Sequence, residues 1–466
     1  MGKYGFNDNM LNDFDVFPKV FAAGKETEVH IRALGGRTVF RAGEEYALTV
    51  CAMETGEPRC WPNTANFVKT SVTADAENGF TFNCTFPSEQ MYLLRFEDKE
   101  GQFLYQFPVY AVDGDLIGRY PFRGDTHMHS TCSDGRQIPE VVISNYRAKG
   151  LDFCGITDHR RYYPSLRAIA FAEEVATEMC VCSGEEVQLR GTEDGINDVH
   201  IINFGGEYSI NALFPSDHRD DVGEDKAERS LYGECPDTMD AEEMTAFMKQ
   251  LCGAKQYPDG VETYPAAVSE WIFKEIRKAN GLGIFVHPNW INNVYHLPVK
   301  FMDYFVENKL FDAFEVLGGE SYYEQNGLQT HRWYEDAAKG HRYPVVGATD
   351  THSSYGTNDK AFICSTIVFA KENERRELIR SIKDGYTVAV DTISDEFRLV
   401  GETRFAKYAT FLMKNYYPLH DALCAEEGRL MREAAVGTED EKNEAKETLK
   451  VIRGRVTRQR EKYFAF

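Results

Sequence analysis

Short apolar runs that adjoin histidine or carboxylate motifs are the feature that most constrains the fold of this 466-residue chain. Six of its twelve histidines lie in such motifs. In chain order the motifs are Asp125-Thr126-His127-Met128-His129, Ser133-Asp134-Gly135, Thr157-Asp158-His159, Gly184-Glu185-Glu186, Val199-His200, His287-Pro288-Asn289 and Asp350-Thr351-His352. Bounded apolar runs this short are typical of buried parallel strands. Because polar side chains at the carboxyl ends of parallel strands meet at one rim, the pattern predicts an α/β sheet or barrel with a polar site there.

The motifs supply side chains that bind transition metals. Imidazole and carboxylate together suit zinc, manganese, iron or cobalt, and a carboxylate can bridge two ions. One His-x-His pair alone would be weak evidence, because two ordinary polar residues are the commoner explanation. Seven motifs, most of them beside an apolar run, predict a multinuclear metal site.

The order of the motifs resembles that of the polymerase and histidinol phosphatase (PHP) superfamily of metallohydrolases, over residues 119 to 395. The resemblance implies a distorted (β/α)7 barrel that binds two or three divalent ions (Mn, Fe or Zn) and hydrolyses mostly phosphoesters. Carried over position by position, it implies metal ligands at His127, His129, Asp134, His159, Glu186, His200, His287, Asp350 and His352.

The resemblance also divides these ligands among the ions. The first ion would be held by His127, His129, Glu186 and Asp350. The second would share Glu186 and be completed by His200 and His287. The third would be held by Asp134, His159 and His352, although some members of the superfamily have histidine in place of Asp134. Glu185 is an alternative to Glu186, but the Gly-x-Glu spacing favours Glu186.

The predicted reaction is hydrolysis of a small phosphate mono- or diester by a hydroxide that bridges two ions, since bound divalent metals lower the pKa of water to about 7. Asp350 is predicted to orient this nucleophile or accept its proton. His352 or His200 is predicted to protonate the leaving group where it does not bind a metal.

Residues close to the ligands are candidates for substrate binding. Arg160 and Arg161 follow His159, and a guanidinium group matches phosphate oxygens bidentately, with a surface ion pair as the equal alternative. Asn289 and Trp290 come soon after the His-Pro motif and are candidates for a hydrogen-bonding and apolar substrate wall. Simple packing of Trp290 is the alternative there.

Three other functions compete with phosphoester hydrolysis. A β-rich segment before such a barrel also resembles the CehA/McbA type, which implies a carboxyl-ester or carbamate hydrolase using the same metals. An apolar pocket around Trp290, Tyr162 and Tyr322 would support that function. A nuclease for long polymers is disfavoured, because a net charge of −22 gives no basic footprint for a nucleic-acid backbone. A non-catalytic binding protein is disfavoured by the complete ligand set, so the predicted partner is a small-molecule ester.

The chain divides into three predicted regions. Residues 1–118 contain partly alternating strands separated by turn residues, which predicts an antiparallel β-sandwich. Residues 119–397 alternate strands and helices and form the predicted barrel. Within them, residues 206–262 are an insertion after the His200 strand, predicted to rise from the catalytic rim as a lid. Residues 398–466 are a predicted helical segment.

Apolar periodicity and glycine predict the helix boundaries. The predicted helices cover residues 139–149, 165–178, 241–251, 265–280, 303–309 and 327–339. Gly150, Gly281 and Gly340 stand just past three of them, where a left-handed C-cap is expected. In the C-terminal segment, Thr438 and Glu441 have the spacing of a capping box.

Composition and the first residues predict a cytoplasmic protein. Eleven cysteines at irregular spacings fit reduced, buried thiols better than a disulfide framework. Residues 1–12 lack the basic and apolar regions of a signal peptide, and no apolar run approaches the roughly 20 residues of a membrane helix. We therefore expect no membrane partner, while a homo-oligomer is an open expectation.

Overall fold

The computed structural model describes residues 10–36, 39–54, 67–188, 199–213, 239–290, 297–318, 323–354, 364–392 and 397–466. Contacts divide the chain into two compact units. The first consists of Met1–Tyr120, Lys407–Leu423 and Gly454–Phe466, and the second of Pro121–Ala406 and Cys424–Arg453. The protein is a multidomain α/β chain with a helical C-terminal segment, as predicted.

The first unit is built on two β-sheets. One contains β1 (Phe14–Phe17), β3 (Glu26–Ala33) and β6 (Gly79–Thr85), which pair antiparallel in that order. The strand order of the other is β20 (Phe464–Ala465), β2 (Val20–Ala22), β8 (Phe103–Val112), β7 (Gln90–Glu97), β4 (Glu45–Ala52) and β5 (Val68–Thr73). A short helix, α1 (Met10–Asp13), precedes β1.

Aromatic side chains pack the two sheets of the first unit against each other. Val29 and Ile31 of β3 are buried, and the ring of Phe80 in β6 stacks on Phe96 of β7 at a centroid distance of 4.7 Å. Aromatic pairs add roughly 0.5–1.5 kcal/mol each beyond the burial of their area. This packing of two sheets around an apolar core is that of a β-sandwich.

The six-stranded sheet departs from the predicted antiparallel arrangement at one edge. β2 runs parallel to β8, with Val20 opposite Tyr110. β20 in turn runs parallel to β2, with Phe464 opposite Val20. Residues 464 and 465 therefore extend this sheet, which alternation within residues 1–118 could not indicate.

The second unit contains two further sheets. The strand order of the first is β11 (Cys180–Cys182), β10 (Phe153–Gly155), β9 (Tyr120–Asp125), β17 (Cys364–Ala370), β18 (Thr387–Asp391) and β19 (Arg398–Gly401). That of the second is β12 (Gly184–Gln188), β13 (His200–Phe204), β14 (Leu282–Phe285), β15 (Ala313–Leu317) and β16 (Val345–Gly347). One isolated bridge joins His159, after β10, to Glu186 of β12, and another joins Met128, after β9, to Thr351, after β16.

The parallel arrangement predicted for the motif strands is wrong for β13, which pairs antiparallel with both β12 and β14. His200 therefore begins its strand, and the reversed direction brings it to the edge where β14 ends. For the same reason the insertion leaves from the opposite edge, after Phe204. The predicted departure from the catalytic rim is thus wrong, and the part of the insertion at residues 214–238 lies outside the described residues.

Every helix predicted for the second unit is present, with ends shifted by at most four residues. These helices are α2 (Pro139–Ala148), α3 (Tyr163–Glu174), α4 (Ala241–Gly253), α5 (Thr263–Lys278), α6 (Val299–Glu307) and α7 (Tyr323–Ala338). A further helix, α8 (Arg375–Lys383), was not predicted. Gly150 and Gly340 have positive φ angles of 88° and 93°, as left-handed C-caps require. After α5 the left-handed residue is Asn280 (φ 56°) and not Gly281, since asparagine also tolerates this region.

The C-terminal segment is mostly helical. It contains α9 (Thr403–Asn415), α10 (Tyr417–Val436), α11 (Glu439–Ile452) and α12 (Arg455–Tyr463). The predicted capping box is confirmed, because the side chains of Thr438 and Glu441 each accept from the other's backbone N–H. The segment is shared between the units, since β19 pairs with β18 and β20 with β2. None of the helices in the described ranges combines the length and hydrophobicity needed to cross a membrane.

Candidate metal centre

Glu186 lies at the centre of the cluster that the motifs form. Its side chain is fully buried, and five histidine nitrogens lie 2.6 to 3.5 Å from its carboxylate oxygens. They are Nε2 of His127, Nε2 of His129, Nδ1 of His159, Nδ1 of His200 and Nε2 of His287. Despite these short distances, neither oxygen of Glu186 accepts an aligned hydrogen bond from a described residue. Five histidines from four motifs that are distant in sequence thus converge on one carboxylate.

Glu185, the alternative ligand, faces the other side of β12, because successive residues of a strand point to opposite faces. It is equally buried, but its oxygens accept hydrogen bonds from Asn203 Nδ2 (3.0 Å), Ser209 Oγ (2.8 Å) and Asn211 Nδ2 (2.8 Å). Two backbone N–H groups also donate to it. Glu186, which the Gly-x-Glu spacing favours, is therefore the residue that enters the cluster.

Asp350 adds a second carboxylate to the cluster. Its Oδ1 is 3.1 Å from His127 Nε2 and 3.0 Å from His129 Nε2. The φ angles of Asp350 (48°) and His287 (28°) lie at positive values that non-glycine residues rarely adopt. Such strain, of order 1–3 kcal/mol per residue, persists where the surrounding structure fixes the conformation, and it concentrates at functional sites.

A more accessible part of the cluster is centred on Asp134. Its Oδ2 is 3.5 Å from His159 Nε2 and 3.2 Å from His352 Nε2, and its Oδ1 is 3.9 Å from His129 Nδ1. The Asp134 side chain is 53% exposed, in contrast to the fully buried Glu186. Gly135 permits a close approach here, since an added Cβ would lie 2.7 Å from the backbone of His129.

The donor atoms form four groups that fit metal ions, with the atoms of each group within 4.8 Å of one another. The groups are His129, Asp134, His159 and His352; His127, His287 and Asp350; His127, His129 and Glu186; and His159, Glu186 and His200. Every predicted ligand belongs to at least one group. The grouping places His287 with Asp350, and His159 with Glu186 as well as Asp134, so the assignment of ligands to individual ions stays a prediction.

Two buried aspartates hold the loops that carry the ligands. Asp125 accepts from the backbone N–H of His127 (3.0 Å) and from Oγ1 of Thr349 (2.6 Å), so it ties the end of β9 to the end of β16. Burial raises the pKa of Asp125 to about 7, against the lowering effect of these hydrogen bonds. Asp158 accepts from two serine hydroxyls of the loop 130–133, at 2.5 and 2.6 Å.

Two residues of the site were not predicted from the sequence. Glu315 of β15 is fully buried, and its Oε2 lies 2.8 Å from Nδ1 of His127. An acidic residue inside the apolar run Ala313–Leu317 was the available signal, because carboxylates are almost never buried without partners. Gln188 has its Nε2 2.8 Å from His159 Nδ1. It stands two residues after Glu186, so strand alternation could have placed it on the same face.

Burial and mutual attraction shift the pKa values of the cluster. Burial alone would raise the pKa of Glu186, but His159 and His127 hold it well below its ordinary range, so the carboxylate is ionised. Burial lowers the pKa of His129 and His200, which keeps these rings neutral at pH 7. An ionised carboxylate and a neutral imidazole are the forms that bind metals.

A cavity of about 270 Å³ opens onto the cluster. Among the described residues it is lined by Asp134, His159, Gln188, His200, His287, Trp290, Asp350 and His352. All three predicted catalytic residues, Asp350, His352 and His200, therefore face the cavity. Trp290 faces it too, with ring centroids 5.7 Å from His287 and 6.2 Å from His200.

The other predicted substrate residues do not line this cavity. Arg160 and Arg161 are half-buried beside His159, and the backbone N–H of Arg160 donates to the carbonyl oxygen of Glu186 at 3.0 Å. Asn289 is buried outside the lining. Tyr162 is also absent from the lining of this cavity, and its hydroxyl donates to the carbonyl oxygen of Gly206 at 2.6 Å. Tyr322 lies outside the described residues.

No family model and no curated protein matches the chain. Several solved structures are similar to parts of it, and three of them are described below. A two-domain protein from Bacteroides vulgatus, containing a predicted PHP-like metal-dependent phosphoesterase, is 19% identical; the match covers 59% of this chain and 66% of that chain, with a TM-score of 0.37. A proposed metal-dependent phosphoesterase from Bifidobacterium adolescentis is 17% identical over 56% of this chain and 94% of its own, with a TM-score of 0.33.

The third similar structure is an amidohydrolase from Chromobacterium violaceum with bound sulfate and no metal. It is 18% identical over 49% of this chain and 87% of its own, with a TM-score of 0.29.

Proposed function

We propose that this protein is a PHP-type metal-dependent hydrolase that acts on a small phosphate mono- or diester. The observation that carries the proposal is the environment of Glu186, a buried carboxylate with five histidine nitrogens around it and no aligned hydrogen-bond donor among the described residues. Lone pairs that converge in this way are suited to holding cations, and the mixed imidazole and carboxylate set suits Zn, Mn or Fe.

Divalent ions bound at the cluster would lower the pKa of water and stabilise the charge that develops on the ester oxygens. Asp350 belongs to the cluster and also lines the cavity, so its carboxylate can orient the attacking water and accept its proton. In His200, Nδ1 is 2.6 Å from Glu186, whereas Nε2 is 3.4 Å from Gln188 on the cavity wall. Nε2 of His200 is therefore the atom from which a proton can pass to the leaving group.

His352 is the second candidate for this proton transfer. Its Nδ1 is 3.0 Å from the carbonyl oxygen of Asp350, to which it can donate, and its Nε2 is 3.2 Å from Asp134. Because Asp134 is half-exposed, this end of the cluster is the more accessible to solvent. If Asp134 and His352 hold no ion, Nε2 of His352 is available for the leaving group.

The dimensions of the cavity favour a small substrate. Ligand pockets commonly measure about 300–1,000 Å³, and this cavity of about 270 Å³ is at the lower end. Trp290 supplies an apolar wall and Gln188 an amide that can hydrogen-bond to an ester oxygen. A compact ester fits this space better than a polymer does.

A carboxyl-ester or carbamate hydrolase with the same metals is the second candidate. The observation in its favour is that the cavity lining contains no lysine or arginine within the described ranges, while Trp290 and Gln188 are neutral. A phosphoester carries negative charge that basic side chains commonly recognise, whereas a neutral ester needs no such partner.

Hydrolysis of three chromogenic esters by the Mn-reconstituted protein tests the proposal. The substrates are p-nitrophenyl phosphate, bis-p-nitrophenyl phosphate and p-nitrophenyl acetate, and the Asp350→Ala variant is the control. We expect the wild type to hydrolyse the phosphoesters and the variant to do so roughly a thousandfold or more slowly. The reason is that Asp350 would stabilise the transition state by several kcal/mol. Thermal unfolding of both proteins establishes that the variant is folded.

Two results would contradict the proposal. Near-normal phosphoester turnover in a folded Asp350→Ala protein would remove the mechanism. Turnover of acetate alone, also lost in the variant, would assign acyl chemistry to the same metals and replace the leading function with the second candidate.

A further inference from the structure

We infer that Glu315 is a positioning residue for His127, fixing the ring tautomer that presents Nε2 to the metal ions. The inference rests on the proposed metal centre and adds to it a residue outside the four ligand groups. Glu315 would act through His127 and touch neither the ions nor the substrate.

The two ring nitrogens of His127 face different partners. Nδ1 lies 2.8 Å from Glu315 Oε2, with both side chains fully buried. Nε2 lies 3.1 Å from Asp350 Oδ1 and 3.5 Å from Glu186 Oε2, within the ligand cluster. Because an ionised carboxylate can only accept a hydrogen bond, a neutral His127 ring would carry its hydrogen on Nδ1, towards Glu315, and leave the lone pair of Nε2 for a metal.

Packing alone does not explain a carboxylate at this position. The flanking residues Phe314 and Val316 belong to the apolar core of the second unit. Among the described residues, the His127 ring is the hydrogen-bond partner of the Glu315 carboxylate, whose Oε1 has none. An apolar side chain of similar volume commonly stabilises such an interior as well or better. The carboxylate at this position is therefore better explained by its contact with His127 than by packing.

The surrounding chain fixes Glu315 in position. Gln329 Nε2 on α7 donates to the backbone oxygen of Glu315 at 2.9 Å. Gly318 leaves room for the side chain, because a Cβ there would lie 2.8 Å from Glu315 Oε1 and 2.6 Å from Gln325 Nε2. Asn326 holds Gly318 through two hydrogen bonds of 2.8 and 2.9 Å. A carboxylate held this firmly can impose an orientation on the His127 ring.

Zinc affinity of the Glu315→Gln variant tests this role, with Glu185→Gln as the matched control. Both variants replace a fully buried strand glutamate by its neutral isostere, but only Glu315 contacts a ligand. Affinity is measured by competition with a chromophoric chelator, and the visible absorption of the Co²⁺-loaded proteins reports ligand geometry. We expect Glu315→Gln to bind Zn²⁺ about 10–100-fold more weakly and to change the Co²⁺ spectrum, with neither effect in Glu185→Gln.

Each alternative outcome contradicts a different statement. Wild-type affinity and spectrum in Glu315→Gln, or equal losses in both variants, would overturn the role of Glu315 and leave the metal centre intact. A wild-type protein that binds no Zn²⁺, Mn²⁺ or Co²⁺ would overturn the proposed function itself. If Glu315→Gln fails to fold, Glu315→Asp is the second variant. It keeps the charge but has a side chain shorter by one methylene, and we expect it too to bind Zn²⁺ more weakly than the wild type.

Discussion

Glu185 and Glu186 are adjacent, chemically identical and equally buried, yet the two faces of β12 give them opposite surroundings. One face of β12, here called the bonded face, carries Glu185, whose carboxylate accepts hydrogen bonds from side-chain and backbone donors. The opposite face, here called the cluster face, carries Glu186, which histidine nitrogens surround without aligned hydrogen bonds. Burial raises the pKa of Glu185 despite its hydrogen bonds, whereas the histidines lower that of Glu186. Burial of a carboxylate therefore does not by itself mark a functional site, and the kind of neighbour does.

Replacing the central residue of the cluster face should have the largest effect. Glu186→Gln removes the charge that the proposed ions share, so we expect loss of bound metal and a fall in turnover of roughly a thousandfold or more. Elemental analysis of the purified variant and steady-state kinetics measure the two effects. If Glu186→Gln kept its full metal content, Glu186 would not be needed to bind the ions, and the cluster face would not differ from the bonded face in metal binding.

A donor on the bonded face should affect stability and leave metal binding unchanged. Asn203 donates to Glu185 and to the backbone oxygen of Tyr208, so Asn203→Ala removes one of the donors to the buried Glu185 carboxylate and a donor to that backbone oxygen. We expect the free energy of unfolding to fall by about 1–3 kcal/mol. Urea denaturation measures this loss, and chelator competition measures zinc affinity. Weakened zinc binding in the folded variant would show that the bonded face also serves the metal centre.

The pH dependence of stability should separate wild type from Glu185→Gln. Burial raises the pKa of Glu185 above its ordinary value of 4.5, so the folded state holds this proton more tightly than the unfolded state. The stabilisation is complete below pH 4.5 and is lost as the pH rises through the raised pKa, at up to about 1.4 kcal/mol per pH unit. The wild type should therefore lose stability relative to the variant over that interval. Parallel urea midpoints at every pH would contradict a raised pKa.

Arg160 should give the smallest effect of the predicted site residues. Its side chain is half-buried and does not line the described cavity. We expect Arg160→Ala to change KM by less than about fivefold, and equally for phosphoesters and neutral esters. A large rise in KM confined to phosphoesters would restore Arg160 as a phosphate-binding residue of the cluster face.

The ligands of the cluster could be predicted because each lies in a short sequence motif next to a strand or loop, so that local sequence is sufficient to identify it. The nine predicted ligands all belong to the four groups that the fold brings together. The direction of β13 could not be predicted in this way, because the apolar pattern of a buried strand reads the same in either direction. His200 reached the cluster nonetheless, but the inference that the insertion rises beside it was wrong.

Residues whose roles depend on distant partners were the ones that the sequence did not reveal. Glu315 and His127 are 188 positions apart, and the sequence around β15 does not indicate that Glu315 contacts the His127 ring. The same holds for β20, whose two residues pair with β2 from the other end of the described chain. Long-range pairing depends on tertiary packing, which periodicity within a short window does not record.

The pairing of β20 with β2 has a consequence for synthesis of the chain. A ribosome releases residues 20–22 long before residues 464 and 465, so one edge of β2 remains without its final partner during most of translation. Unpaired strand edges in incompletely folded chains promote aggregation. A fragment that stops before residue 454 would keep this edge open permanently. Expression of the first unit by itself therefore requires residues 407–423 and 454–466 in addition to the N-terminal segment, because all three belong to that unit.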